Sequence, residues 1–160
     1  MLAVSNTSPI CNLAVIGRLG FLADRYRVLQ IPPAVARELD ALRHPSGSQH
    51  IRTAISDGWL KVTTPPSLPV LPFPLDSGES EAIALALHLK ADVLLLDEKR
   101  GRQAARQFGL VVAGALGELV HAKHVGWLAS VQDEIRRLRQ EAGFFVDPAI
   151  ERFILSQVGE

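Results

Sequence analysis

Short apolar runs separated by helix-patterned stretches constrain this chain more than any other feature. Leu2 to Ser5, Val93 to Leu96 and Leu110 to Ala113 are each four residues long and bounded by polar residues, the pattern of strands buried on both faces. Val28 to Ile31 and Leu60 to Thr63 are weaker strand candidates. Between and after them, helical spacing of apolar residues marks Pro33 to Leu42, Gln49 to Ser56, Gly78 to Lys90, Lys99 to Phe108, Ala115 to His124, Ser130 to Glu141 and Pro148 to Val158. Strands that alternate with helices form a parallel sheet, because a right-handed crossover returns each strand beside an earlier one. The expected class is therefore α/β, with helices on both faces of a central parallel sheet.

Thr64 to Pro74 reads TPPSLPVLPFP, with five prolines. Such a stretch supplies neither a central strand nor a helix interior, and it is expected to connect two halves of one fold. Neither half has enough strands to close its own core, so residues 1–160 are expected to form one domain, ending in two helices over about 128–158. Hydrophobic residues make up 48% of the chain and charged residues 21%, which excludes wholesale disorder. Lys+Arg and Asp+Glu balance at 17 each, so any nucleic-acid contact needs a local basic patch. There is no apolar run long enough for a membrane span and no signal-peptide pattern. A single cysteine, Cys11, has no intramolecular disulfide partner, so the expected setting is a reducing cytoplasm, with Cys11 buried and inert.

In an open parallel sheet, ligands bind beyond the carboxyl ends of the strands. Asn6 follows the first apolar run and Asp97 follows VLLL, so both are expected on one rim. Asp97 also fits the N-cap of the helix that starts EKRGRQAARQF. In PAVARELDAL, Glu38 shares the stripe of Val35, Leu39 and Leu42 and is expected to point inward, where a base such as Arg43 could also satisfy it. In LDSGESEAIALALHL, Asp76 and Glu79 have capping-box spacing. Glu79 nonetheless leads the row Ile83, Ala86 and Leu87 that must meet the sheet, whereas Glu81 leads Leu85 and His88. Glu79 is the preferred acid and Glu81 its alternative.

Acids drawn from distant segments, without cysteines or paired histidines, describe an oxygen-ligand site suited to Mg²⁺ or Mn²⁺. Carboxylates clustered in this way repel each other unless a cation is present. The chemistry such a site offers is phosphodiester hydrolysis through a metal-activated water. Asn6 would add a neutral oxygen; Thr7 and Ser8 would add hydroxyls, with Ser8 also placed to cap the next helix. The same VSNTSP stretch can equally be a plain strand-to-helix turn. A nucleotide-binding domain fits less well, because Gly114 and Gly117 are not accompanied by the GxGxxG fingerprint or a P-loop lysine. A phosphoacceptor receiver would need an acidic pair after the first strand, where this chain has Asn6.

The ordered series VSNTSPI, VARELD, LDSGESEAIALA, LLLDEKRGRQAA and GLVVAGALGEL resembles the PIN-domain family, in its short prokaryotic branch related to VapC-type toxins. The likeness covers most of the chain. It implies a three-layer α/β/α sandwich and a Mg²⁺- or Mn²⁺-dependent ribonuclease whose catalytic residues are Glu38, Glu79 and Asp97. The implied metal site comprises Asn6, Glu38, Glu79 or Glu81, and Asp97, with Glu98 nearby. Ser8, Lys99, Arg100 and Arg102 are the RNA-contact candidates, the last three through phosphates. A small antitoxin protein is an implied partner, and the apolar C-terminal FILSQV fits a homodimer. The chain departs from the family at Asn6, where an Asp is usual. The amide lowers the charge of the site and favours, as the alternative function, a noncatalytic module that binds RNA or protein.

Overall fold

A computed structural model describes residues 1–160. Its five strands are β1 (Ala3–Ser5), β2 (Leu29–Ile31), β3 (Leu60–Val62), β4 (Val93–Leu95) and β5 (Val112–Ala113). Every pairing is parallel, and the sheet order is β3-β2-β1-β4-β5. From β1 the chain first builds outward through β2 and β3, then crosses back to add β4 and β5 on the other side. The order therefore reverses between β1 and β4. A crevice opens at such a reversal, because the helices leaving the two strands depart to opposite faces.

Nine helices surround the sheet: α1 (Thr7–Val15), α2 (Gly20–Tyr26), α3 (Pro33–Asp40), α4 (Pro45–Ser56), α5 (Ser77–Leu89), α6 (Lys99–Gln107), α7 (Ala115–His124), α8 (Val131–Ala142) and α9 (Pro148–Gln157). Two apolar clusters lie on the two faces. The larger packs Ile10, Leu13, Leu29, Ile31, Leu119 and Ile135 among others. The smaller joins Val4, Leu94 and Leu96 to Ile83, Leu85, Ala104 and Ala105. Alternate residues of β1 serve the two clusters, with Ala3 in one and Val4 in the other, as the two-residue period of a strand requires. This is the expected α/β/α sandwich.

Three expectations need correction. The run Leu110 to Ala113 is not buried on both faces: β5 is an edge strand of two residues, and Val111 is 64% exposed. Helix α4 begins at Pro45, four residues before the apolar spacing starts, with the His44 side chain accepting from the Gly47 N–H at 2.9 Å. Helix α2 was not anticipated; its seven residues are too few to establish a period. The proline-rich Thr64 to Pro74 carries no helix or strand, as expected, and links β3 to α5. The charged residues of RRLRQE lie on the solvent side of α8, where Arg137 pairs with Glu134 and Glu141, and Arg139 with Glu151, while Leu138 packs in the core.

Candidate active site

Asn6 follows β1 and occupies the N-cap position of α1, yet its side chain does not cap the helix. A capping amide accepts from the backbone N–H two or three residues on, and the third residue here is Pro9, which has no N–H. The Asn6 amide turns across the rim instead. Its Nδ2 donates to Glu98 Oε2 at 3.4 Å, while Oδ1 is buried and has no hydrogen-bond partner. Leaving a buried carbonyl oxygen unpaired costs about 1–3 kcal/mol, so this position is where a cation or a water has most to offer.

Glu38 and Gly78 complete the surroundings of that oxygen. A methyl group placed on Gly78 would lie 2.8 Å from Glu38 Oε1 and 3.0 Å from Asn6 Oδ1. The missing side chain thus leaves a hollow lined by one carboxylate and one amide oxygen. Thr7 donates its hydroxyl to Glu38, and Ser8 donates its hydroxyl to Glu98. Ser8 lies within α1 and does not cap it. Contrary to the expected inward orientation, Glu38 is solvent-exposed: Leu39 and Leu42 of its stripe pack on the core, while its carboxylate faces Thr7 and Gly78.

Asp97 follows β4 and is held by donors from two other segments. Ala115 N–H donates to Oδ1 at 2.9 Å and Asn12 Nδ2 to Oδ2 at 3.2 Å. It therefore caps the start of α7, not the helix that follows it; Glu98 is the N-cap of α6. Gly114 is required beside it, since a Cβ there would be 2.5 Å from Asp97 Oδ1 and 3.1 Å from Arg102 Nη1. Burial pushes the Asp97 carboxyl up to about 6, although the Ala115 N–H and the Asn12 amide favour its charged form.

Glu79, in the first turn of α5, is buried, and the N-cap Asp76 accepts from its N–H at 2.8 Å. Burial, with Asp76 and Glu98 nearby, pushes its carboxyl up to about 7. Glu81 serves elsewhere: it accepts from Ala34 N–H at 3.3 Å at the start of α3 and lies 3.8 Å from Arg37, so it supports α3 and does not join the rim cluster. Of the basic candidates, Lys99 and Arg100 are exposed, and Arg100 stacks on Phe73 and donates to the Pro74 carbonyl. Arg102 is half-buried, with Nη1 donating to the Leu96 carbonyl at 2.8 Å. Cys11 is half-buried, and burial with the nearby Glu38 charge pushes its thiol up to about 11, which leaves it protonated and unreactive at neutral pH.

The rim thus brings together Asn6, Glu38 and Gly78 on one side and Asn6, Ser8 and Glu98 on the other, with Asp97 and Glu79 flanking. No three Asp, Glu, His or Cys side chains close into a ligand group. The acids take separate donors: Glu38 the Thr7 hydroxyl, Glu98 the Ser8 hydroxyl and the Asn6 amide, and Asp97 the Asn12 amide and the Ala115 N–H. The donor set, oxygen throughout with one oxygen unpaired and buried, fits a hard divalent ion. Asn12, which orients Asp97, was missed from sequence; a polar residue inside an apolar helix was its only signal.

The model of a PIN domain family matches residues 2–160. Among solved structures, a PilT N-terminus domain protein from the hyperthermophilic archaeon Sulfolobus solfataricus P2 is similar, with 22% identity over 76% of this chain and 93% of that chain and a TM-score of 0.56. At that identity the likeness speaks to the fold. The comparison with curated proteins gives no match.

Proposed function

The chain belongs to the PIN domain family, whose members commonly carry nuclease activity, and on that premise we propose that it is a Mg²⁺- or Mn²⁺-dependent ribonuclease, the toxin half of a toxin and antitoxin pair. The observation that carries the reading is the buried, unpartnered Oδ1 of Asn6 beside the Glu38 carboxylate, at the point where the strand order reverses. Asn6, Glu38, Glu98 and Asp97 would hold the ion, and Glu79 would supply a carboxyl able to exchange a proton near neutrality. When bound, the ion supplies an activated water and charge stabilisation at the phosphate. Around it, Thr7 and Ser8 orient Glu38 and Glu98, and Asn12 with the Ala115 N–H fixes Asp97. Lys99 and Arg100 would meet the phosphates of the bound strand.

A labelled single-stranded RNA incubated with the purified protein tests this. We expect cleavage in Mn²⁺ or Mg²⁺ that EDTA stops and that Glu38→Gln and Asp97→Asn abolish without loss of helical circular dichroism. RNA left intact in both metals overturns the nuclease. The amide at position 6 favours one second reading, a noncatalytic regulatory module that binds RNA or a protein partner, which RNA binding without cleavage would support.

A further inference from the structure

Beside Asp97, on the open side of β5, lies a groove of about 470 Å³ that the proposed chemistry does not use. Val112 and Leu116 line it, together with Phe144, Phe145, Ile150 and Ile154 from the segment that enters α9. Its volume falls within the roughly 300–1,000 Å³ of sites that hold small organic groups. Polar groups are few. Asp97 and Arg102 meet at Gly114, and Asp147 lines the groove where it accepts from the Ala149 N–H at 2.8 Å. One of the five guanidinium N–H groups of Arg102 is engaged in its bond to the Leu96 carbonyl, so donors remain for a ligand. Phe145 is 81% exposed, an aromatic face held in water at the edge of an apolar cleft.

The charge on the neighbouring helix selects the occupant. Helix α6, KRGRQAARQ, carries four cations and no acid: Arg102 lines the groove, Lys99 and Arg106 line a separate exposed depression, and Arg100 is turned onto Phe73 and the Pro74 carbonyl. A strand whose phosphates followed Lys99 and Arg106 and whose reacting phosphate reached Asp97 would bring its next base to the groove that Asp97 and Arg102 line. We infer that the groove is a base-binding subsite, in which an unpaired nucleotide stacks on Phe145 and its polar edge meets Arg102 and Asp147. The assignment rests on the nuclease reading and adds that the base at this one position is unpaired, because a base paired in a duplex cannot enter a cleft of this kind without being extruded.

The test is binding, measured in EDTA so that no cleavage intervenes, of a single-stranded RNA oligonucleotide carrying one 2-aminopurine. Fluorescence quenching on binding reports stacking of that base. We expect Phe145→Ala to weaken affinity about tenfold or more, as the loss of one base stack does, and to remove the quenching. Phe145→Tyr should retain both, and Phe153→Ala, at an exposed aromatic outside the groove, should change neither. Equal affinity in Phe145→Ala and the unaltered protein overturns the inference, as does equal affinity for duplex and single strand. If Phe145→Ala instead turns a dimer into a monomer by light scattering while RNA affinity holds, the groove belongs to a second copy and the inference falls. Phe145-dependent quenching with RNA left intact in Mn²⁺ would defeat the nuclease while the subsite stands. Cleavage with an unaltered KM in Phe145→Ala would do the reverse.

Discussion

Asn6→Asp is the substitution whose consequences the geometry fixes best. Asn6 is 3% exposed, and its Nδ2 lies 3.4 Å from Glu98 Oε2. A carboxylate in place of the amide turns a donated hydrogen bond into two like charges at that separation, which repel by about 5 kcal/mol at an effective dielectric constant near 20. The protein can escape the full penalty by keeping one proton on the pair. At pH 7, protonating a carboxyl of ordinary pKa near 4 costs about 4 kcal/mol, and this sets the ceiling. Metal-free Asn6→Asp should therefore be destabilised by about 4 kcal/mol at pH 7, a fall in Tm of roughly 8–16 °C for a chain of this size. At pH 5 the same protonation costs about 1.4 kcal/mol, so most of the loss should disappear. The sign follows from linkage: the substituted pair binds a proton more tightly folded than unfolded, and stability is lost as pH rises. Mn²⁺ at about 100 times its Kd would restore roughly 2.7 kcal/mol, with the larger Tm gain in the variant than in the unaltered protein. Differential scanning fluorimetry in EDTA and in Mn²⁺, at pH 5 and pH 7, reads all four states. A variant that melts within 2 °C of its parent at pH 7 in EDTA would refute the adjacency of positions 6 and 98.

The unaltered protein carries its own pH signature. Glu79, up to about 7 by burial, and Asp97, up to about 6, hold protons in the fold that the unfolded chain releases near pH 4, so stability should fall as pH rises from about 4.5 to 7. Glu79→Gln should remove about half of that slope in chemical denaturation, Asp97 accounting for the rest; an unchanged slope would assign it to other groups. In the first turn of α7, Glu118 is 1% exposed, accepts from Tyr26 Oη at 2.7 Å and takes Arg25 Nη1 on both oxygens at 3.0 Å. Glu118→Ala leaves a guanidinium and a hydroxyl unpaired and should cost about 3–5 kcal/mol, seen as a lower urea midpoint at unchanged slope.

The sheet was legible because its central strands are apolar on both faces. Ala3 to Ser5 and Val93 to Leu95 are fully buried, and no helix of ordinary amphipathic pattern has that profile. The edges were harder. β3 exposes Lys61 and Val62, and Val111 stands in solvent just before the two-residue β5, so a four-residue apolar run overstated how much of the chain paired. Helix α2 left no readable period in GFLADRY, and the start of α4 was hidden because PSG precedes its first apolar residue while His44 supplies the cap through a side chain seldom used for it.

At the site, chain order alone brought Asn6 and Asp97 to one rim, because residues that follow parallel strands share an end of the sheet. Orientation was another matter. Helix spacing placed Glu38 on the stripe of Val35 and Leu39 without saying that its carboxylate would turn out to Thr7 and Gly78, and the cap position of Asp97 said nothing of which helix it would cap. Both depend on where neighbouring helix ends arrive, Gly78 for the first and Ala115 for the second. Those two arrivals share a device: a glycine that removes the side chain which would have struck the carboxylate, at 2.8 Å from Glu38 and 2.5 Å from Asp97. The acids mark where charge is wanted, and the glycines mark how closely another segment must approach it. A glycine that follows a strand or opens a helix opposite an acid is therefore a sequence signal for the rim, more local than helical period and independent of the acid's own stripe.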